Sequence, residues 1–116
     1  LSQVYLDDNQ KNQALSLLKD TYSNNSLDSI YRELALYKYI MINFENIEVS
    51  NIENMISLIE NNNSEFNLYF QEMIGIKHLT LGNTKKANSI FTNLSLDENT
   101  PFDLRMRLDK LIQIAN

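Results

Sequence analysis

Cysteine is missing from all 116 positions, which removes disulfides, thiol catalysis and zinc–thiolate sites and suits cytosol and periplasm equally. One proline and two glycines leave few points where a helix must stop, and with 43% apolar residues the chain is neither low-complexity nor disordered. An all-α fold is the natural expectation. Basic residues are in deficit, 10 against 15 acidic for a net charge of −5, whereas nonspecific nucleic-acid binding needs a basic surface. No nucleic-acid partner is expected. No apolar run approaches the ~18 residues of a membrane-spanning candidate and there is no signal-peptide pattern, so membrane attachment would need a segment outside this sequence. There is a single histidine, and no phosphate-binding loop, zinc motif or nucleophile elbow. No catalytic, cofactor-binding or metal-ligating residues are predicted, and the chain is read as noncatalytic.

What is present is enough for one domain, 1–116, with a real core. Seventeen Asn and twelve Ile make composition a weak guide, since Asn is a mediocre helix former, and periodicity has to carry the reading. Charge is uneven: residues 39–76 hold six Glu and no Lys or Arg, while 77–116 hold six basic against four acidic residues. A solvated acidic face is the ordinary meaning of such a run, with a docking patch for a basic partner as the alternative.

The organising stretch is Ile74–Leu94. Gly75 interrupts an apolar helical pattern at a cost of about 1 kcal/mol relative to Ala, which predicts a close helix crossing. Gly82-Asn83 supplies a turn, and Ala87, Phe91 and Leu94 then recur at spacings of four and three on one helix face. Together they predict a helical hairpin.

Elsewhere the pattern is looser. Leu1, Tyr5 and Leu6 look like the end of a helix already under way, so the sequence is expected to come from a longer protein. Asp7-Asp8-Asn9 is read as a turn and 10–22 as a helix with Ala14, Leu17, Leu18, Thr21 and Tyr22 inward. Ser26 is taken to cap a helix running to about 43, with Ile30, Leu34, Tyr37 and Met41 inward and Ala35 at a crossing. A longer connection, Asn43–Ser50, leads to a helix capped by Ser50 or Asn51 and running to about 61 with Ile52, Ile56 and Ile59 inward. Asn61–Ser64 closes it, and Phe66, Tyr69, Phe70, Met73 and Ile74 form the face leading to Gly75. Pro101 suits a first-turn position and opens a last helix, 101–115, burying Leu104, Leu108, Leu111 and Ile114 with Arg105, Arg107 and Lys110 facing solvent or the groove. Equating Ala14, Ile52 and Ala87 gives periods of 38 and 35 residues, near the ~34 of tetratricopeptide repeats.

The residues Ile74-Gly75-x-x-His78, Gly82, Ala87, Phe91 and Leu94 resemble a tetratricopeptide repeat in complete register. Leu1-Ser2-x-x-Tyr5, Asn9, Ala14 and Leu18 match more loosely, the middle copy matches only in its second helix, and Pro101 falls two residues late. From Phe66 onward, Leu79–Asn83, Ala87–Phe91, Asp97, Pro101 and Leu104-Arg105-Met106-Arg107 resemble the end of bacterial membrane-anchored proteins related to the ancillary SecYEG translocon subunit. That resemblance implies a right-handed superhelix of about three helical hairpins with a C-terminal capping helix. It also implies a protein-binding scaffold on the periplasmic side of the inner membrane, associated with chaperones or the translocon; the cytoplasm is the alternative compartment.

His78 stands where the repeat has a packing Tyr, and a core role is expected of it in place of metal binding. Glu65 and Glu72, seven apart on one helix, lack a nearby nucleophile and are read as surface carboxylates. First helices of such repeats line a groove, which places Arg32, Leu36 and Tyr39 from one helix with Tyr69, Glu72 and Ile76 from another as the predicted site for a protein or peptide. Self-association into a homo-oligomer, or a regulatory role in a larger protein, is the runner-up.

Overall fold

The computed structural model describes residues 2–59 and 66–116, with side chains in the first helix described from Asp8 onward. Six α-helices and one 3-10 turn make up the described residues, with no strand among them. The chain divides into two compact units, Leu1–Glu60 and Asn61–Asn116.

The second unit contains α4 (Phe66–Thr80), α5 (Thr84–Ser95) and α6 (Phe102–Ala115). Gly82, at φ +84°, is the one described residue with positive φ, where an L side chain is strained. The chain reverses around it: Asn83 N–H donates to the His78 carbonyl at 2.9 Å and Gly82 N–H to that of Leu79 at 3.1 Å. This nested pair satisfies carbonyls that the end of α4 would otherwise leave open. The turn sets α5 antiparallel to α4, and Gly75 lies against the ring of Phe91. A Cβ on Gly75 would fall 2.5 Å from Phe91 Cε1, so the crossing predicted from the interrupted pattern exists and needs a residue without a side chain.

Ala87, Phe91 and Leu94 from α5 meet Leu68 from α4 and Leu104, Leu108 and Ala115 from α6 in one core. Phe91, Leu104 and Leu108 are wholly buried, each contributing on the order of 2 kcal/mol by removal from water. Thr100 Oγ1–H donates to the Leu94 carbonyl at 2.6 Å, closing α5 before α6 begins. Pro101 sits one residue outside α6, as its N-cap, instead of in the first turn. Ile114, predicted inward, is 67% exposed and Ala115 is buried in its place. Ala115 joins the core residues of α4, α5 and α6.

The first unit contains α1 (Ser2–Tyr22), α2 (Ser29–Ile42), a 3-10 turn (Phe44–Asn46) and α3 (Val49–Ser57). The turn predicted at Asp7-Asp8-Asn9 is absent: α1 runs through it. Those residues are polar, but none requires a left-handed backbone, and without glycine or proline nothing forces the helix to stop. Asn9 is therefore not the counterpart of Gly82. Leu1 and the side chains of Tyr5 and Leu6 lie outside the described residues, as does Asn61–Ser64.

α2 begins after Asp28 as N-cap, two residues beyond the predicted Ser26, and α3 after Glu48 instead of Ser50 or Asn51. The larger difference is in which side of α2 is buried. Ile30, Leu34 and Met41, predicted inward, are exposed, while Ala35, Leu36 and Ile40 are buried. The helix reads SIYRELALYKYIMI, apolar on nearly every side, so period alone does not choose its inner face. Its packing against α1 does.

Candidate protein-docking surface

The predicted site residues fall into the two units, three in each. In the first, Arg32 Nε–H donates to the carbonyl of Tyr22 at 2.9 Å. Tyr22 is the last residue of α1, so its carbonyl has no partner within the helix, and the guanidinium both satisfies it and places positive charge at the negative end of the helix dipole. The ring of Tyr39 meets that of Tyr22 edge-on, centroids 5.4 Å apart at 73°. Burial, followed by the neighbouring Tyr39, raises the pKa of the Tyr22 phenol. Leu36 is wholly buried. Arg32 and Tyr39 are thus engaged with the end of α1 and Leu36 is withdrawn from solvent; an open strip of all three is not what α2 presents.

In the second unit, Tyr69 and Ile76 are half-buried against the core. Glu72, expected at the surface, is buried. Its carboxylate accepts two bonds from Arg107 on α6, Nε–H to Oε2 at 3.0 Å and Nη2–H to Oε1 at 2.9 Å. The same guanidinium lies over the Tyr69 ring, 5.8 Å from its centroid, and Asp103 stands 3.7 Å from Nη1 one turn back on α6. The hydrogen bonds it donates to Glu72, aided by the charges of Glu72 and Asp103 and by Tyr69, outweigh desolvation and raise the Arg107 pKa further above its already high value. Arg107, expected to face solvent or a groove, is exposed and at the same time ties α6 to α4. The rigid two-pronged donor suits this better than Lys would.

His78 is buried, with Asn83 Nδ2 3.3 Å from its Nδ1. Among the described residues there is no group of three or more His, Cys, Asp or Glu able to hold a metal ion, and no helix is long and apolar enough to cross a membrane.

One open apolar surface among the described residues is the outer face of α2. Ile30 and Tyr31 are each 60% exposed and Met41 57%, with Leu34 between them. Spacings of three, four and seven put these side chains on one stripe. Lys38, four residues after Leu34 and three before Met41, is exposed on the same stripe. At its C-terminal end the stripe runs into a half-open pocket of about 350 Å³ lined by Lys11, Met41, Ile42, Phe44, Glu45 and Asn46.

The sequence pattern assigns Ile30, Leu34 and Met41 to the core, so periodicity does not reveal this face. One signal was available: a Lys at position 38 lies between Leu34 and Met41 on the same face, which is unusual for an inward stripe. No protein-family model, curated protein or solved structure matches this chain.

Proposed function

We propose that the chain is a noncatalytic protein-binding adaptor that holds its partner along the outer face of α2. The observation that carries this reading is the stripe of Ile30, Tyr31, Leu34 and Met41, large apolar side chains left open to water on a helix whose other side is packed. Contiguous exposed apolar surface of this kind is costly in a monomer and is ordinarily kept for a partner. A single helix laid into such a stripe reads it through residues spaced three, four and seven apart.

The finer fold that goes with this reading is a tetratricopeptide-like repeat. It is supported by the α4–α5 hairpin, in which Gly75, Gly82, Ala87 and Phe91 each do what that repeat asks of them. A bacterial-envelope location and translocon or chaperone association rest on the residue pattern from Phe66 onward alone.

Panning a library of displayed helical peptides against the chain, with counter-selection on an Ile30→Asp, Leu34→Asp variant, tests the docking face. Peptides that bind the parent and not the folded variant are expected. A library yielding no binders, or binders indifferent to both substitutions, overturns the reading.

A further inference from the structure

We infer that the occupant of the α2 face is an acidic amphipathic helix of another protein. Its apolar side lies along Ile30, Leu34 and Met41, one large apolar side chain enters the pocket beside Met41, and its carboxylates meet Lys38 and Lys11. The inference rests on the docking reading above and adds to it the chemistry of the partner.

Three observations lead there. First, the stripe exposes on the order of 500 Å², the scale of the largest apolar patch on a monomer and below the ~800 Å² per partner of a standard stable complex. That area matches one helix, not the face of a domain. Second, the pocket of about 350 Å³ at the end of the stripe has room for a single large side chain, and Met41 and Phe44 line its wall. A helix with a terminal apolar anchor uses both features at once.

Third, the charges on this surface are cationic where they are available. Lys38 sits within the stripe and Lys11 on the pocket wall, and neither has an ion-pair partner among the described residues. Glu45, on the same wall, is already engaged by another group of the chain. Covering Lys38 with a purely apolar or basic helix would remove its water without supplying an anion, which is unfavourable. A carboxylate on the incoming helix answers that cost.

The same argument weighs against the other occupants. A second α2 would bring another Lys38 to the middle of the stripe, while its exposed carboxylates, Asp28 and Glu45, lie beyond the two ends of the helix. An anionic lipid surface calls for a cluster of about four to eight basic residues, whereas this face offers two and the unit also exposes Asp28, Glu48 and Glu53.

The test uses two synthetic helical peptides with the same Leu and Ile spacing, one flanked by Glu and one by Lys, titrated against the full chain by fluorescence anisotropy at low and high salt. The Glu peptide is expected to bind about fivefold more tightly at low salt, although the chain carries a net charge of −5, with the preference shrinking as salt screens it. In a Lys11→Glu, Lys38→Glu variant that keeps its circular dichroism, the preference should reverse. Equal binding, or preference for the Lys peptide by the parent, overturns the acidic-partner inference while the docking reading stands, provided Leu34→Asp abolishes binding of both. Failure of both peptides to bind sinks the docking reading and this inference with it. Light scattering that shows a concentration-dependent doubling of mass lost in Leu34→Asp would assign the face to a second copy and also overturn it. So would recruitment to phosphatidylserine vesicles with neither peptide competing.

Discussion

Arg107 on α6 holds Glu72 on α4 through two parallel hydrogen bonds, 3.0 and 2.9 Å long, with the carboxylate side chain 6% exposed and the guanidinium 47%. One partner is inside and the other half in water, and that asymmetry decides what each substitution does. Arg107→Ala leaves a buried carboxylate without its donor. Breaking a fully buried pair costs about 3–5 kcal/mol, and water reaching the vacated half reduces this to about 2. The double variant Glu72→Gln, Arg107→Met should recover part of the loss, because neither side then strands a charge. Urea titration followed by circular dichroism measures both, and a double variant less stable than Arg107→Ala would contradict this account of the pair.

Gly75 touches Phe91 so closely that any side chain must displace the ring. Alanine normally gains about 1 kcal/mol over glycine inside a helix. Here the added Cβ would lie 2.5 Å from a ring that is wholly buried. Overpacking of that kind costs about 1–3 kcal/mol, so Gly75→Ala should lower stability despite its helix propensity. Adding Phe91→Leu to Gly75→Ala should return some of the loss, and a Gly75→Ala protein that melts higher than the parent would refute the crossing.

The two faces of α2 should respond oppositely to truncation. Leu36→Ala empties a fully buried site and is expected to cost about 2–5 kcal/mol. Leu34→Ala, on the open stripe, should stay within about 0.5 kcal/mol of the parent. Reversal of that order in thermal melts would return Leu34 to the core and remove the docking surface.

Tyr22 has a raised pKa because its phenol is buried, with Tyr39 as the second cause. The folded state therefore holds the phenol proton more tightly than the unfolded state, whose value lies near the ordinary 10.0. This contribution is complete below that pH and is lost as the pH rises through the folded-state value. Tyr22→Phe should lose less stability than the parent between pH 8 and pH 11 as measured by urea titration at each pH, although it also forgoes the phenol's own contacts. Identical slopes would remove the argument.

Legibility varied along the chain for reasons that can be named residue by residue. Between Ile74 and Leu94 the pattern held because each signal there is local: Gly82 alone can take φ +84°, Gly75 alone fits against Phe91, and the helix after the turn has a clear apolar face. At Asp7-Asp8-Asn9 polarity suggested a turn where no residue compelled one, and the helix continued. The inward face predicted for α2 differs for another reason. A segment apolar on both sides carries two equally good inner faces, and the contacts of Arg32 and Tyr39 with Tyr22 run from one helix back to another, which the period of a single helix does not register.

The sequence by itself determined that the described chain is helical, where one sharp reversal falls, and which residues of α5 turn inward, since backbone preference and a one-sided apolar period act within a few residues. Tertiary structure alone decided which side of α2 meets water and that Glu72 is buried against Arg107. Those outcomes depend on what a neighbouring helix offers: a carbonyl needing a donor, a ring needing an edge, a carboxylate needing a guanidinium.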